Sequence, residues 1–306
     1  MTLAPFVATL GRGPGRSRSL TGDEAEAAMT LMLSGDAAPE AVGALLMLLR
    51  MKGETADEIA GFARAAQAAL PCADGPAADL DWPSYAAGRS RGLPWFLLSA
   101  RLVASAGFRV VVHGVNGSDA SVRDHLDALG PDVPYLPLET THPALFALLR
   151  LRGVLGLRSC VNTVCRMLNP GRAAVSVQGV FHPSYRMLQA DAAALLGWSG
   201  LSVIKGGGGE FERSPTKAVA AFGLRDGVRF DTTYAALATG HVRLADGPRP
   251  ATTLAGLWSG ATPDPFAETV VISTAALALD TLGVASADNA AAALWRDRAP
   301  HKEDAA

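Results

Sequence analysis

The stretch "LTGDEAEAAMTLMLSGDAAPEAVGALLMLLRMKGETADEIAGFARA", residues 20–65, reads as three helices in succession. Thr21-Gly22-Asp23-Glu24 has capping-box spacing: a hydroxyl at the cap position and a carboxylate three residues on, each able to satisfy an orphan backbone N–H. The helix it opens runs through "AEAAMTLML" and stops near Ser34-Gly35. A second helix, from Pro39 to Met51, places Val42, Leu45, Leu46 and Leu49 on one face, and Lys52-Gly53 ends it. Thr55-Ala56-Asp57-Glu58 is a second capping box, opening a third helix through Ala69. Three short helices bury little surface alone, so they are expected to pack on something larger, such as a second subunit.

Beyond this block the pattern changes. Residues 71–83, "PCADGPAADLDWP", are rich in proline, small residues and acids and read as a boundary. After it, "FRVVVHG" (108–114) and "LSVIKGG" (201–207) are short β-branched runs ending in glycine, the signature of strands buried on both faces of a parallel sheet. Helical stretches are read at Pro94–Ala106, Ser121–Leu129, His142–Leu149 and Pro183–Leu196. "AETVVISTAALALDTLG" (267–283) reads as a helix packed on the sheet, and Ala285–Trp295 as a terminal helix. Alternating strand and helix predicts the α/β class, with a site at the carboxyl ends of the strands. The expected organisation is a small N-terminal helical domain, residues 1–72, and a larger α/β domain with a mostly parallel central sheet, residues 78–306.

At 306 residues and 49% hydrophobic content the chain suits one large domain or two modest ones. No apolar run approaches the roughly 20 residues of a membrane helix, and "MTLAPFVATLGRGPG" lacks the basic-then-apolar order of a signal peptide, so a cytoplasmic protein is expected. Cys72, Cys160 and Cys165 form no CxxC pair, which argues against a zinc or disulfide framework.

The net charge of −2 says little, but its distribution is uneven. Residues 21–81 hold eleven acids and three bases, whereas residues 84–114 hold four arginines and residues 140–190 six (Arg150, Arg152, Arg158, Arg166, Arg172, Arg186), with no acid in either. Such segregation favours an anionic ligand near the middle of the chain. The run "VIKGGGGEFERSP" (203–215) admits a phosphate cradle, a metal loop or a plain turn. It is not a P-loop, since no GK[ST] follows. Glu210 and Glu212 on an extended segment share a face.

Residues 20–65 resemble the helical domain of anthranilate phosphoribosyltransferase. "VVVHGVNGS", "ALG" at 128–130, "HPAL", "RGVLGLRSCVNTVCRMLNP", "QGVFHP" and "GGGGEFERSP" then follow in that family's order and approximate spacing. The resemblance implies the fold above and a homodimer formed through the helical part. It also implies a site whose motifs this sequence alters. Where the family binds the pyrophosphate of phosphoribosyl pyrophosphate with a GTGGDG loop, this chain has "DWPSYAAGRSRGLPWF", with Tyr85, Gly88, Arg89, Gly92 and Arg91. Where the family has KHGNRS, it has Val112-His113-Gly114-Val115-Asn116-Gly117-Ser118. His113 and Gly114 match; the lysine and arginine are gone. Arg152 falls where the family places a carboxylate-recognising arginine, and Asn162 and Asn169-Pro170 match. Glu212 matches the second acid of the family's magnesium-organising Asp-Glu pair, Phe211 stands in place of the aspartate, and Glu210 offers a carboxylate two residues away.

These departures are most similar to the family's YbiB-type paralogue branch, for which nucleic-acid binding has been proposed. The expected function is therefore a glycosyl or phosphoribosyl transferase of unassigned acceptor, distinct from the tryptophan-pathway enzyme. Its catalytic group would be His113, Arg152 and Asn162, with phosphate contacts from Tyr85, Gly88, Arg89, Arg91, Gly114, Asn116, Ser118 and Arg166. An altered Mg²⁺ site at Glu210 and Glu212 is implied, and no organic cofactor. The alternative is a sequence-independent nucleic-acid-binding homodimer lined by Arg89, Arg91, Arg150, Arg152, Arg158, Arg166 and Arg172, with Trp82, Tyr85 and Trp95 stacking bases.

Overall fold

In the computed structural model both capping boxes form as the spacing requires: Thr21 Oγ1 accepts from Glu24 N and Thr55 Oγ1 from Glu58 N, while each glutamate reaches back to its cap backbone N–H. The structure describes residues 2–70, 77–85, 92–115, 120–240, 242–244 and 252–298. Four helices open the chain: α1 (Ala4–Gly11), α2 (Gly22–Leu33), α3 (Pro39–Lys52) and α4 (Ala56–Ala68). The first was not foreseen, because Pro5 at its start and a mostly apolar run of eight residues carry no cap signal. Glu58 ties the bundle together. Buried, it accepts from Leu20 N and Thr55 N and pairs with Lys52 Nζ at 2.8 Å, which satisfies a charge that burial alone makes costly.

One seven-stranded sheet forms the centre of the second layer. Its strands are β1 (Leu80–Ser84), β2 (Val110–Gly114), β3 (Tyr135–Pro137), β4 (Val175–Val180), β5 (Gly200–Lys205), β6 (Val219–Arg225) and β7 (Val228–Tyr234). The spatial order is β3-β2-β1-β4-β5-β6-β7. The first five are parallel neighbours, and β6 and β7 add an antiparallel hairpin. The hairpin turn is Asp226-Gly227, both with positive φ, the pair that a tight two-residue turn demands.

The remaining helices are α5 (Phe96–Ser105), α6 (Ala120–Arg123), α7 (Leu138–Thr141), α8 (Pro143–Arg150), α9 (Arg152–Leu155), α10 (Val161–Arg166), α11 (Tyr185–Leu195), α12 (Leu254–Ser259), α13 (Pro265–Thr281) and α14 (Ala287–Asp297). Two apolar clusters divide the molecule. One joins the N-terminal bundle to Leu145, Leu148, Val161 and Val164 of α8 and α10 and to Ala192 and Ala193 of α11. The other packs α5, α13 and α14 on one face of the sheet through Trp82, Phe96, Val112, Val271 and Trp295. The short N-terminal helices thus find their larger partner within this chain: α4 lies against α10 and α11. The chain folds as a small N-terminal helical domain and an α/β domain with a mostly parallel sheet.

The order of strands creates one special place. The chain leaves β1 to build β2 on one side, and later returns to build β4 on the other. In open α/β sheets the crevice beyond the carboxyl ends of two such strands is the usual ligand site. Here β1 and β4 pair only at Leu80–Val175 and Asp81–Ser176. Beyond Asp81, β1 carries Pro83, which has no N–H to give to a ladder. The two strands part, and Tyr85 and Gly179 present carbonyls to the gap.

Candidate functional site

Arg166 spans that gap. It ends α10, and its guanidinium donates from Nη2 to Tyr85 O at 2.9 Å, from Nε to Gly179 O at 3.0 Å, and from Nη1 to Asn162 O at 2.9 Å. The residue is only 8% exposed. Its own carbonyl accepts from Gln178 Nε2 on β4. Burial pulls its pKa down, opposed by the nearby charge of Glu210. Expected on phosphate, Arg166 instead closes the crevice by satisfying backbone carbonyls of the diverging strands.

Below it runs a buried polar chain. Ser176 Oγ donates to Asp81 Oδ2 at 3.0 Å, and Asp81 Oδ1 lies 3.2 Å from His113 Nε2, without the alignment of a hydrogen bond. His113 Nδ1 meets Tyr85 Oη at 2.8 Å. Burial raises the Tyr85 phenol well above its ordinary pKa, so the hydroxyl keeps its proton beside the imidazole. His113 and Tyr85 are both buried. Gly114 follows at the end of β2, where a Cβ would lie 2.2 Å from Ser84 O.

The glycine run packs against the same strands. A Cβ on Gly179 would lie 2.0 Å from the carbonyl carbon of Glu210, and one on Gly206 only 1.7 Å from Glu210 O. The glycines let this loop fold onto itself and onto β4. Glu210 and Glu212 do not sit on a strand, contrary to the shared-face expectation. Between them Phe211 turns into the core, its ring 5.5 Å from Trp82. Glu210 Oε1 accepts from Ser84 Oγ at 3.0 Å, and Glu212 Oε1 accepts from Phe96 N at the start of α5, at 3.1 Å. Both residues are buried. These carboxylates are turned to different protein donors, and among the described residues no three His, Cys, Asp or Glu side chains gather as a metal site.

An open space lies beside the crevice, on the β4 side. A cleft of about 320 Å³ separates the helical bundle from the α/β layer, lined by Arg50 of α3, Arg158, Ser159, Asn162, Thr163 and Arg166 around α10, and Val180, Phe181, His182, Tyr185 and Gln189 after β4. Three of these are arginines and none carries a carboxylate. Arg50 Nη1 donates to Arg158 O at 2.7 Å, joining α3 to the loop before α10. Tyr185 Oη donates to Glu54 at 3.1 Å, and burial, with that charge beside it, pushes the phenol up to about 12.

The structure therefore brings together Tyr85, His113, Gly114, Arg166, Glu210 and Glu212 at the strand ends, and Asn162 with Arg166 in the cleft. Arg152 stands apart on the exposed start of α9. Gly88, Arg89, Arg91, Asn116 and Ser118 lie outside the described residues. Of the arginines expected along one groove, Arg150 and Arg152 are exposed on α8 and α9, Arg166 is buried, and Arg172 precedes β4, at the amino end of the sheet. Trp82, Tyr85 and Trp95 are buried rather than available for stacking. Sequence reasoning missed Asp81, Arg50 and His182. Asp81 was legible as an acid in a short apolar stretch, and His182 lies in the quoted fragment "QGVFHP" without being singled out; Arg50 carried no local signal.

Residues 5–69 match the glycosyl transferase family helical bundle domain. The chain is 31% identical over 265 residues to the anthranilate phosphoribosyltransferase of Rhizobium rhizogenes, covering 80% of this chain and 77% of that protein. Among solved structures it matches the anthranilate phosphoribosyltransferase of Thermus thermophilus with a TM-score of 0.80 at 23% identity, over 98% of this chain and 95% of that one. It also matches the Saccharomyces cerevisiae enzyme in complex with PRPP and Mg, with a TM-score of 0.77 at 17% identity, over 97% and 93%. Among the described residues no helix is long and apolar enough to cross a membrane. With its helical bundle matched and more than two thirds of its length aligned with the Rhizobium rhizogenes protein at 31% identity, the chain belongs to the anthranilate phosphoribosyltransferase family.

Proposed function

We propose that this protein is a glycosyl or phosphoribosyl transferase that binds a sugar phosphate in the cleft between its helical bundle and its sheet, with an acceptor other than anthranilate. The observation that supports this most is the cleft itself: Arg50, Arg158 and Asn162 line it, with no lining carboxylate, beside the switch point of the sheet. Guanidinium forks suit phosphate oxygens geometrically as well as by charge.

In such a transfer the acceptor attacks the anomeric carbon and the bond to the pyrophosphate oxygen breaks, with the electron pair leaving on pyrophosphate. Arg50 and Arg158 would take up charge on the phosphates, as preorganised donors do where charge develops. Asn162, its backbone held by Arg166, would orient the acceptor. His113 would act at one remove, by holding the end of β2 against β1 through Tyr85 and Asp81.

The departure from anthranilate rests on Phe211 and Arg166. The first fills the core where the family's paired acid would lie, and the second fills the crevice. A homodimer belongs to the same reading, since Met51 of α3 and Val154 of α9 are each 82% exposed and Leu157 is exposed close by. The nucleic-acid reading gains no support from arginines spread over both ends of the sheet.

The test is a pyrophosphate-release assay with phosphoribosyl pyrophosphate and a panel of acceptors, anthranilate among them. Release above the acceptor-free rate is expected with a nitrogen heterocycle, lost in Asn162→Ala and Arg50→Ala, and no consumption of anthranilate is expected. Anthranilate turnover would overturn the reading of the acceptor. Absence of release with every acceptor would overturn the transferase.

A further inference from the structure

The cleft carries a second kind of surface beside its arginines. Phe181 is 54% exposed, and its ring meets that of His182 edge to face, with centroids 5.0 Å apart. Both rings follow β4 directly and line the same space as Arg50, Arg158 and Arg166. Thr163 and Arg166 are buried and form the floor, while Arg50, Phe181 and His182 are exposed and form the rim. Phe181 belongs to neither apolar cluster, so core packing does not account for it.

Two chemistries therefore converge. Charge and hydroxyls (Arg50, Arg158, Ser159, Thr163) match a phosphate. A flat apolar ring at the mouth matches the face of an aromatic group, which stacks on phenylalanine whatever its edge carries. The volume of about 320 Å³ stands at the low end of small-molecule pockets, about 300–1,000 Å³, and suits one sugar phosphate with its aromatic part at the rim. Arg50 commits one of its five N–H donors to Arg158 O, a bond that holds the guanidinium in place.

We propose that the cleft binds a nucleoside 5′-monophosphate, with the phosphate among Arg50, Arg158 and the hydroxyls of Ser159 and Thr163, and the base against Phe181. The proposal rests on the reading that this cleft is the ligand site, and it names the ligand class. Phe181 is then the residue that distinguishes a nucleotide from a bare sugar phosphate.

The experiment is calorimetric titration of the full-length protein with AMP, ribose 5-phosphate and adenosine. AMP is expected to bind saturably, ribose 5-phosphate about tenfold more weakly, and adenosine more weakly still. Phe181→Ala should bring AMP down to the ribose 5-phosphate level and leave ribose 5-phosphate unchanged. Arg50→Ala should weaken both phosphates about tenfold or more, and Arg50→Lys should restore only part of the loss, because an ammonium lacks the fork. Thermal denaturation of each variant checks folding, and His182→Ala gives a second rim variant with the same expected direction. If ribose 5-phosphate binds through Arg50 but AMP binds no better, or Phe181→Ala leaves AMP unchanged, the nucleotide proposal is overturned and the sugar-phosphate reading stands. If neither phosphate binds, both fall.

Discussion

The gap between β1 and β4 and the cleft beside it lie a few residues apart, yet they are built on opposite principles. In the gap the guanidinium and the hydroxyls turn to protein: Arg166 bridges Tyr85 and Gly179, Tyr85 meets His113, and Ser84 meets Glu210. In the cleft, Arg50, Phe181 and His182 stand at an open rim. The first arrangement spends its hydrogen bonds on holding two strands apart at a fixed spacing. The second keeps charge where a ligand reaches it. A cation at a switch point is thus not by itself a ligand contact; what matters is where its N–H groups already go.

If that contrast holds, substitutions in the gap cost stability and substitutions on the rim cost ligand. The largest loss is expected from Gly179→Ala, whose methyl group meets the backbone of Glu210 and Phe211 at 2.0–2.4 Å. Overpacking against backbone that cannot yield should cost about 3 kcal/mol or more, read as a fall in the denaturation midpoint or a failure to fold. Arg166→Met comes next. It strips buried carbonyls of their donor, at about 3 kcal/mol in denaturant titration. A variant as stable as the parent would show that Arg166 belongs to the ligand site instead.

Tyr85→Phe removes one buried hydroxyl and should cost about 1 kcal/mol; the imidazole nitrogen shifts of His113 in the NMR spectrum should move with it. In the helical bundle, Glu24 supplies a pH marker. Its bond with Arg18 holds the carboxyl at about 2, below the ordinary 4.5. A depressed carboxyl contributes stability above its unfolded pKa and loses it as pH falls toward the folded value, so Glu24→Gln should flatten the loss of stability between about pH 5 and pH 2. The smallest change is expected on the rim: Arg50→Ala and His182→Ala should alter stability by about 0.5 kcal/mol or less in denaturant titration.

The fold was legible where local chemistry is repetitive. Two capping boxes, one apolar face on α3 and the β-branched runs of β2 and β5 announce themselves in the chain. β1 did not, because Asp81 and Pro83 break the strand pattern, and both sit where the gap opens: Asp81 anchors the polar chain and is the last residue paired with β4, and Pro83 lies just beyond it. β4 was hidden by Gly179 and Gln178 for a similar reason, since one admits the glycine loop and the other holds Arg166 O. The β6–β7 hairpin had a readable signal in Asp226-Gly227 that went unused. At the site, the motif residues marked the right end of the sheet. The sequence had no means of saying that Arg166 turns inward or that Arg50, over a hundred residues before Arg158, would meet it across the cleft.

The most direct test is a crystal structure of the protein with ribose 5-phosphate. Phosphate density among Arg50, Arg158 and Thr163, with Arg166 still bonded to Tyr85 O and Gly179 O, is the predicted result. Phosphate over the ends of β1 and β2, with Arg166 swung out of the gap to meet it, would contradict the account.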